Sequence, residues 1–213
     1  MDQNDIDSFI DAIIQSTEMK REIAIVKIDG KEYYTVGEKE QVNVGRIIYD
    51  NLHVNTRQID YIFHTHPPTN TEIALSLGFD EEIVMRIDYT NTFPSGYDYL
   101  TVVDIREMLS MLNIRLDNAY VGSMEYISGN MYYTTFDITL AKEHYNEILQ
   151  IVEKEDKAYM DFQQGNIGLV DLLDIYEKDI TYTTRITNTV RMPLGNVNND
   201  NIIPEEFTLW GEG

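Results

Sequence analysis

Apolar and polar positions follow two different spacings along the chain, one helical and one extended. Apolar residues at helical spacing predict an amphipathic helix over residues 5–17, which Asn4 or Asp5 is placed to cap. The apolar stripe of this helix is expected to consist of Ile6, Phe9, Ile10, Ile13 and Ile14. The chain is therefore predicted to begin with a helix that has one apolar face.

Extended segments follow at several places. Residues 22–36 form two β-rich runs that meet at Asp29 and Gly30, a pair typical of hairpin turns. Residues 58–66 are rich in β-branched and aromatic side chains and stop at two prolines, as expected of a strand. A second hairpin is predicted from residues 119–127 and 131–138.

The remaining segments alternate between helical and irregular patterns. Pro94 and Ser95 begin a predicted helix that runs to about residue 112. Its buried candidates include Leu100, Val103, Met108 and Leu112. Further predictions are a long charged helix over 139–164, a short helix over 166–178, a late strand within 181–192 and a mostly irregular tail over 193–213. Two segments fit no single pattern, namely 45–55 and 69–92.

The order of these elements predicts the fold class. Helix, hairpin, strand, helix, hairpin and helix fit an α/β domain with a mixed, largely antiparallel sheet flanked by helices. A doubly wound parallel fold would require more regular alternation of strand and helix, and the sequence contains no glycine-rich phosphate loop.

The composition is that of a folded, acidic chain. Of its 213 residues, 43% are apolar and 11% are aromatic, and 16 Lys and Arg against 37 Asp and Glu give a formal net charge of −21. Such a surface repels phosphate backbones, so we expect no nucleic-acid partner. The excess of acidic residues is compatible with a basic substrate, with adaptation to a salty interior or with solubility alone. We interpret the acidic clusters at 80–82 and 153–156 as solvated faces.

Cysteine is absent, which excludes disulfides, cysteine-based zinc fingers and thiol nucleophiles. A metal site in this chain must therefore use His, Asp or Glu. The first residues are acidic and lack a signal-peptide pattern, and no apolar run approaches the roughly 18–20 residues that span a bilayer. These features predict a soluble, cytoplasmic (intracellular) protein without a membrane partner.

His64 and His66 stand at the end of the strand predicted over residues 58–66. Side chains two apart on a strand share a face, so both imidazoles can reach one ion, and Thr65 is expected to point the other way in a structural role. Two imidazoles, one carboxylate and an open position make a common catalytic zinc arrangement. An isolated pair is more often two polar neighbours, so this pair alone does not establish a metal site.

Ser95 and Asp98 stand at the start of the helix predicted over residues 94–112. A serine followed three residues later by an acid, just before an apolar periodic run, is a capping box and by itself indicates only a helix start. Both side chains lie at the same helix end, so they can also face a metal beside that terminus. His53 and His144 match no such pattern, and we interpret them as surface or hydrogen-bonded histidines.

A His-x-His-Pro strand end followed by a Ser-x-x-Asp helix start resembles the signature of the JAMM (MPN-plus) metalloprotease family. The matching residues are His64, His66, Pro67, Ser95 and Asp98. The family also has a glutamate near the start of the strand after the first helix; Glu22 occupies that place, and Glu18 is the next candidate. Residues 69–92 exceed the family's usual spacing, and we interpret them as an insertion near the site mouth, a lid or a substrate-contact segment.

The resemblance implies an MPN-like (cytidine-deaminase-like) domain over residues 1–140, followed by a helical extension and irregular tail over 141–213. It implies that His64, His66 and Asp98 ligate Zn²⁺ with water in the fourth position, that Glu22 is the general base, and that Ser95 hydrogen-bonds the oxyanion. The implied activity is hydrolysis of an amide bond in a protein or peptide substrate, including isopeptide bonds to ubiquitin-like proteins.

Two alternatives stay open at the level of the sequence. An MPN-type domain can be a catalytically inactive scaffold, although such versions typically lack the ligand set found here. The chain can also be an acidic structural or interaction protein in which the motif residues are coincidental. Metal content separates both from the hydrolase, and nothing in the sequence indicates the oligomeric state.

Overall fold

The structure is a computed structural model that describes residues 1–37 and 42–197. These residues form helices packed on a six-stranded sheet. The helices are α1 (Gln3–Met19), α2 (Val44–Asn51), α3 (Thr69–Ser76), α4 (Glu81–Thr90), α5 (Gly96–Met111), α6 (Ile138–Glu143), α7 (Tyr145–Gln163) and α8 (Leu169–Ile186). The strands are β1 (Ile23–Ile28), β2 (Lys31–Val36), β3 (Gln58–His66), β4 (Arg115–Met124), β5 (Asn130–Thr135) and β6 (Val190–Asn196).

The sheet is mixed and mostly antiparallel, as the sequence predicts. Its strand order is β2-β1-β3-β4-β5-β6, and only the β3–β4 pair is parallel. A parallel pair needs a crossover connection, and the chain supplies one through α3, α4 and α5. Within the described residues, no helix has the length and apolar character needed to cross a membrane.

Helices cover both faces of the sheet because successive strand side chains point in opposite directions. On β1, Ile23 and Ile25 pack in the core beneath α1, whereas Ala24 and Val26 belong to the core beneath α2, α5 and α7. On β3, Phe63 faces α1. The two histidines of β3 therefore lie on the face covered by α5.

The N-terminal helix and the first hairpin agree with the sequence, except at the helix cap. The N-cap of α1 is Asp2; Asp5 sits at the third helical position and completes a capping box, so the assignment of Asn4 or Asp5 as the cap is wrong. The predicted turn is confirmed, with φ of 47° at Asp29 and 80° at Gly30. Two positive φ values match the twist of a tight hairpin.

Several boundaries differ from the predictions. The ambiguous segment 45–55 contains α2, and 69–92 contains α3 and α4. The long helix predicted over 139–164 is divided at His144, which ends α6 and precedes α7. Met108 of α5 and Leu112, which caps the end of this helix, are exposed, and only Leu100 and Val103 of the predicted set are buried.

The largest correction concerns the strand predicted within residues 181–192. Helix α8 continues to Ile186, and β6 begins only at Val190, so residues 181–186, which are rich in β-branched side chains, are helical. Thr183 is buried, and tertiary packing of this face overrides a modest intrinsic β preference. The prediction of an irregular tail from residue 193 is also wrong at its start, because Pro193 lies in β6. This strand is at the edge of the sheet, where proline is tolerated. The tail beyond residue 197 lies outside the described residues.

Gly122 on β4 offers a test of the packing beneath α1. A Cβ atom at this position would lie 2.3 Å from Phe63 Cζ and 2.9 Å from Ile13 Cγ1. Phe63 cannot move aside easily, because its ring is fully buried and stacks on Phe9 at a centroid distance of 4.0 Å. We therefore expect Gly122→Ala to lower the free energy of unfolding by about 1–3 kcal/mol in urea titrations.

Gly45→Ala is the matched control for this prediction. Gly45 lies in α2, and the nearest atom to a Cβ added there would be Asn43 Oδ1 at 3.5 Å, an ordinary contact. Alanine there should be neutral or stabilising by about 0.5–1 kcal/mol, because glycine is unfavourable within a helix. Equal stabilities of the two variants would contradict the close packing of Gly122.

Candidate metal centre

The crossover between β3 and β4 brings the two halves of the sequence motif together. A helix that connects parallel strands runs antiparallel to them, so its N-terminus returns to the carboxyl end of the preceding strand. Here the first turn of α5, which carries Asp98, meets the end of β3, which carries His64 and His66. The topology thus explains how residues more than thirty positions apart share one site.

The three side chains form a compact cluster that could hold a metal ion. His64 Nε2 lies 2.9 Å from Asp98 Oδ1, His66 Nε2 lies 3.3 Å from Asp98 Oδ2, and the two Nε2 atoms are 3.3 Å apart. Ligand atoms of a tetrahedral zinc ion with bonds of about 2.0–2.1 Å lie roughly 3.3 Å from one another. The donor set and its spacing therefore fit a tetrahedral divalent cation with one position left open.

Asp98 belongs both to the capping box of α5 and to the cluster with His64 and His66, so the two roles are compatible, as the sequence predicts. Its backbone N–H donates to Ser95 Oγ at 3.3 Å, while Asp98 Oδ2 accepts from Ser95 N at 2.6 Å and Ser95 Oγ at 2.8 Å. The capping box holds the carboxylate at the positive end of α5. Its orientation toward the histidines is therefore set before any ligand binds.

The electrostatics of the cluster favour a cation. Burial opposes the charge of Asp98, but His64 and His66 outweigh it and hold the pKa of Asp98 well below its usual range. Burial likewise opposes protonation of His66, yet Asp98 and then Glu22 raise the pKa of that imidazole above its usual value. The ionised carboxylate of Asp98 therefore draws positive charge to this place, either a proton on His66 or a cation.

Glu22 lies beside this cluster, whereas Glu18 does not. In the antiparallel β1–β3 pair, Ala24 is opposite His64, so the same register places Glu22 next to His66. Glu22 is half-buried, and burial raises the pKa of its carboxyl despite the opposing effect of the two imidazoles. Glu18 is exposed on α1 and lines neither cavity at the site. Of the two candidate bases, only Glu22 is within reach of the cluster.

Two cavities meet at the cluster. The larger, of about 1400 Å³, lies along β2, α2 and the start of α5. The smaller, of about 620 Å³, extends past the start of α5 to α7 and α8, and we call it the α7–α8 cavity. Both are lined by Glu22, His66, Ser95 and Tyr97. The cluster is therefore open to a ligand from two sides.

Ser95 is exposed at this junction, and its hydroxyl bonds to Asp98. Turning the hydroxyl proton toward a ligand would leave Asp98 Oδ2 still held by the backbone N–H of Ser95. The serine can thus donate to a substrate oxygen without releasing the carboxylate from its position.

Residues 69–92 support the cluster from outside, a role that the sequence does not indicate. The backbone of Asn91 hydrogen-bonds the His66 ring, and the Asn91 side chain donates to the carbonyl of Pro67 at 3.2 Å. Such outer contacts orient a ligand imidazole and set its tautomer. A backbone partner has no sequence signature, so only the fold reveals it.

The other predicted positions behave as expected. Thr65 Oγ1 accepts from the backbone N–H of Ile23 at 2.9 Å and donates to Ser16 Oγ at 2.7 Å, which is a structural role on the opposite face. His144 Nδ1 lies 2.9 Å from Glu147 Oε1, far along the chain from the cluster. Neither His53 nor His144 belongs to the metal-type cluster found among the described residues.

One residue of the acidic cluster 153–156 departs from the solvated face that the sequence predicts. Glu153 and Asp156 are exposed, but Glu155 is half-buried and lines the α7–α8 cavity. Helical spacing from the buried residues Ile148 and Val152 places position 155 on the same face, and this periodicity is the sequence signal for partial burial of Glu155. The neighbouring acidic residues favoured the opposite interpretation, a solvated face.

Comparison with models of known protein families, with curated proteins and with solved structures gave no match.

Proposed function

We propose that the protein is a zinc-dependent peptidase or isopeptidase of the JAMM type, with an MPN-like fold. The observation that carries the proposal is the convergence of His64, His66 and Asp98 on one point with Glu22 beside them in the cavity. Two imidazoles, one carboxylate and a neighbouring acid are the residue types that catalytic zinc hydrolases use.

The proposed roles follow from position and protonation. His64, His66 and Asp98 would hold the zinc ion, whose Lewis acidity activates water and polarises a carbonyl group. Glu22 accepts the proton of the attacking water and passes it to the leaving amine; a raised pKa brings its carboxyl closer to the operating pH and favours this exchange. The hydroxyl of Ser95 donates a hydrogen bond to the oxyanion.

An inactive scaffold explains these residues less well. Burying charged groups costs free energy that their mutual pairing often only balances, and the side chains of Asp98 and His66 are each only 16% exposed. An apolar cluster at the same place would stabilise a scaffold better. The arrangement is therefore better accounted for by a site that binds a metal and acts on a substrate.

Hydrolysis by the zinc-loaded full chain tests the proposal. The protein is incubated with a mixed peptide library and with a lysine-linked isopeptide of a ubiquitin-like tail, and new amino termini are identified by mass spectrometry. We expect cleavage in at least one set, a loss of on the order of a hundredfold on chelation, and recovery with zinc but not magnesium. Stoichiometric zinc without cleavage of either set would contradict the proposed activity and favour a scaffold.

A further inference from the structure

The α7–α8 cavity has a wall of unusual chemistry for a space beside a metal centre. Its aromatic side chains come from α5, α7, α8 and the segment before α5. They are Phe93, Tyr97, Tyr159, Phe162 and Tyr176. Its acidic side chains are Glu22, Glu155, Asp156 and Asp179, and no described residue that lines it is a lysine or arginine. The wall therefore combines negative charge with aromatic and aliphatic surface.

The carboxylates of this wall differ in how they are satisfied. Asp179 is paired with Lys154, whose Nζ lies 2.6 and 2.8 Å from its two oxygens. Asp156 accepts a hydrogen bond of 2.6 Å from the Tyr97 hydroxyl. Glu155 accepts no hydrogen bond and forms no ion pair with a described residue. Burial and then the charge of Asp179 raise the pKa of Glu155 to about 7, although the nearby charge of Lys154 opposes the shift.

A second polar group in the same wall is also unpartnered. Thr69 Oγ1 is buried and has no hydrogen-bond partner among the described residues, and Thr69 lines the same cavity near His66. Buried polar atoms without a hydrogen-bond partner are rare in folded proteins, and each calls for a physical explanation, such as a bound water or ion. The wall thus contains two polar side chains, Glu155 and Thr69, whose hydrogen-bonding capacity is not used by other described residues.

We propose that the α7–α8 cavity is a substrate subsite of the metal centre and takes a positively charged side chain, lysine or arginine, with Glu155 as its counter-ion. The inference rests on the proposed peptidase function, because a peptide must reach the metal centre to present that side chain. It assigns the substrate class that the proposed function leaves open, namely peptides with a basic residue near the scissile bond.

The chemistry of the wall suits such a side chain better than a neutral one. A half-buried carboxylate interacts with a cation more strongly than an exposed one, because less water screens the pair. The aliphatic stem of lysine or arginine can pack on Leu172 and Leu173, which line the cavity, while its charged end reaches Glu155. The rings of Tyr97, Tyr159 and Tyr176 also line the cavity and can add cation–π attraction.

Binding to the zinc-loaded Glu22→Gln full chain tests the subsite without cleavage. The probes are short acetylated, fluorescent alanine peptides in which one lysine is moved from position to position, with matched sets that carry norleucine or glutamate instead. We expect the lysine peptide to bind about tenfold more tightly than its norleucine counterpart at one position, measured by fluorescence anisotropy. Adding Glu155→Gln should remove most of that preference.

Two further variants make the result specific. Glu153→Gln removes an exposed charge from the same helix and should keep the lysine preference. Glu155→Lys reverses the charge of the wall and should favour the glutamate peptide. Equal binding of lysine and norleucine peptides, no binding of any peptide, or a preference that survives Glu155→Gln would each overturn the subsite. Lack of cleavage by the unsubstituted protein contradicts the peptidase instead, because the lysine preference is read from binding alone.

Discussion

His64→Ala should lower bound zinc from near one ion per chain to near none, and hydrolysis should be lost with it. His64 is one of the three side chains in the cluster that could hold a metal ion, so its removal leaves an incomplete ligand set. A ligand that binds only the folded state stabilises it by about 2.7 kcal/mol at a hundred times its dissociation constant. Zinc should therefore raise the melting temperature of the unsubstituted protein but not that of the variant.

The measurement is zinc per chain after purification without an affinity tag and exhaustive dialysis. Asp98→Ala should give the same result, with an added loss of about 1 kcal/mol because the capping box is broken. His144→Ala is the matched control, since His144 is a histidine at a helix junction away from the cluster. Retention of stoichiometric zinc by His64→Ala, or loss of zinc in His144→Ala, would contradict the assigned ligands.

Glu22→Gln should keep zinc and lose hydrolysis. A positioned general base contributes about 10²–10⁴-fold to the rate, and an amide of the same shape cannot accept the proton. The variant should fold normally, because glutamine keeps an oxygen that can accept the backbone hydrogen bond of Val42. The pKa of Glu22 is raised in the folded state, so ionisation of this carboxyl lowers the free energy of unfolding as the pH rises through that pKa. At neutral pH the metal-free variant should therefore be at least as stable as the parent.

The decisive comparison is kcat measured at equal zinc occupancy. Glu18→Gln is the control, because Glu18 was the competing candidate and is exposed on α1. It should retain full activity. If Glu22→Gln remains fully active, the assignment of Glu22 as the general base is wrong.

The members of the candidate site were accessible from the sequence because each has a local signature. His64 and His66 share a face through the period of a strand, and Ser95 with Asp98 forms a capping box that is recognisable without a fold. The proximity of Glu22 could be suggested only by resemblance. It became a physical statement once the β1–β3 register placed Ala24 opposite His64.

The surroundings of the site were not accessible in the same way. Asn91 supports His66 through its backbone, which any residue type could provide. Glu155 lies in an acidic run whose composition predicts solvent exposure. Only the packing of α7 against α5 and α8 places its side chain in the wall of the cavity. The composition of a segment describes all of its residues together, whereas the burial of each residue depends on which side of the helix carries it.

Local chemistry by itself determined the elements whose signals do not depend on distant contacts. The turn at Asp29 and Gly30, the strand from Gln58 to His66 and the start of α5 at Ser95 are all of this kind. Only the tertiary structure decided the parallel pairing of β3 with β4, the helical state of residues 181–186 and the cavity between α7 and α8. The physical reason is that strand pairing and helix burial are settled by contacts between segments far apart in the chain, where a modest local preference is outweighed by packing.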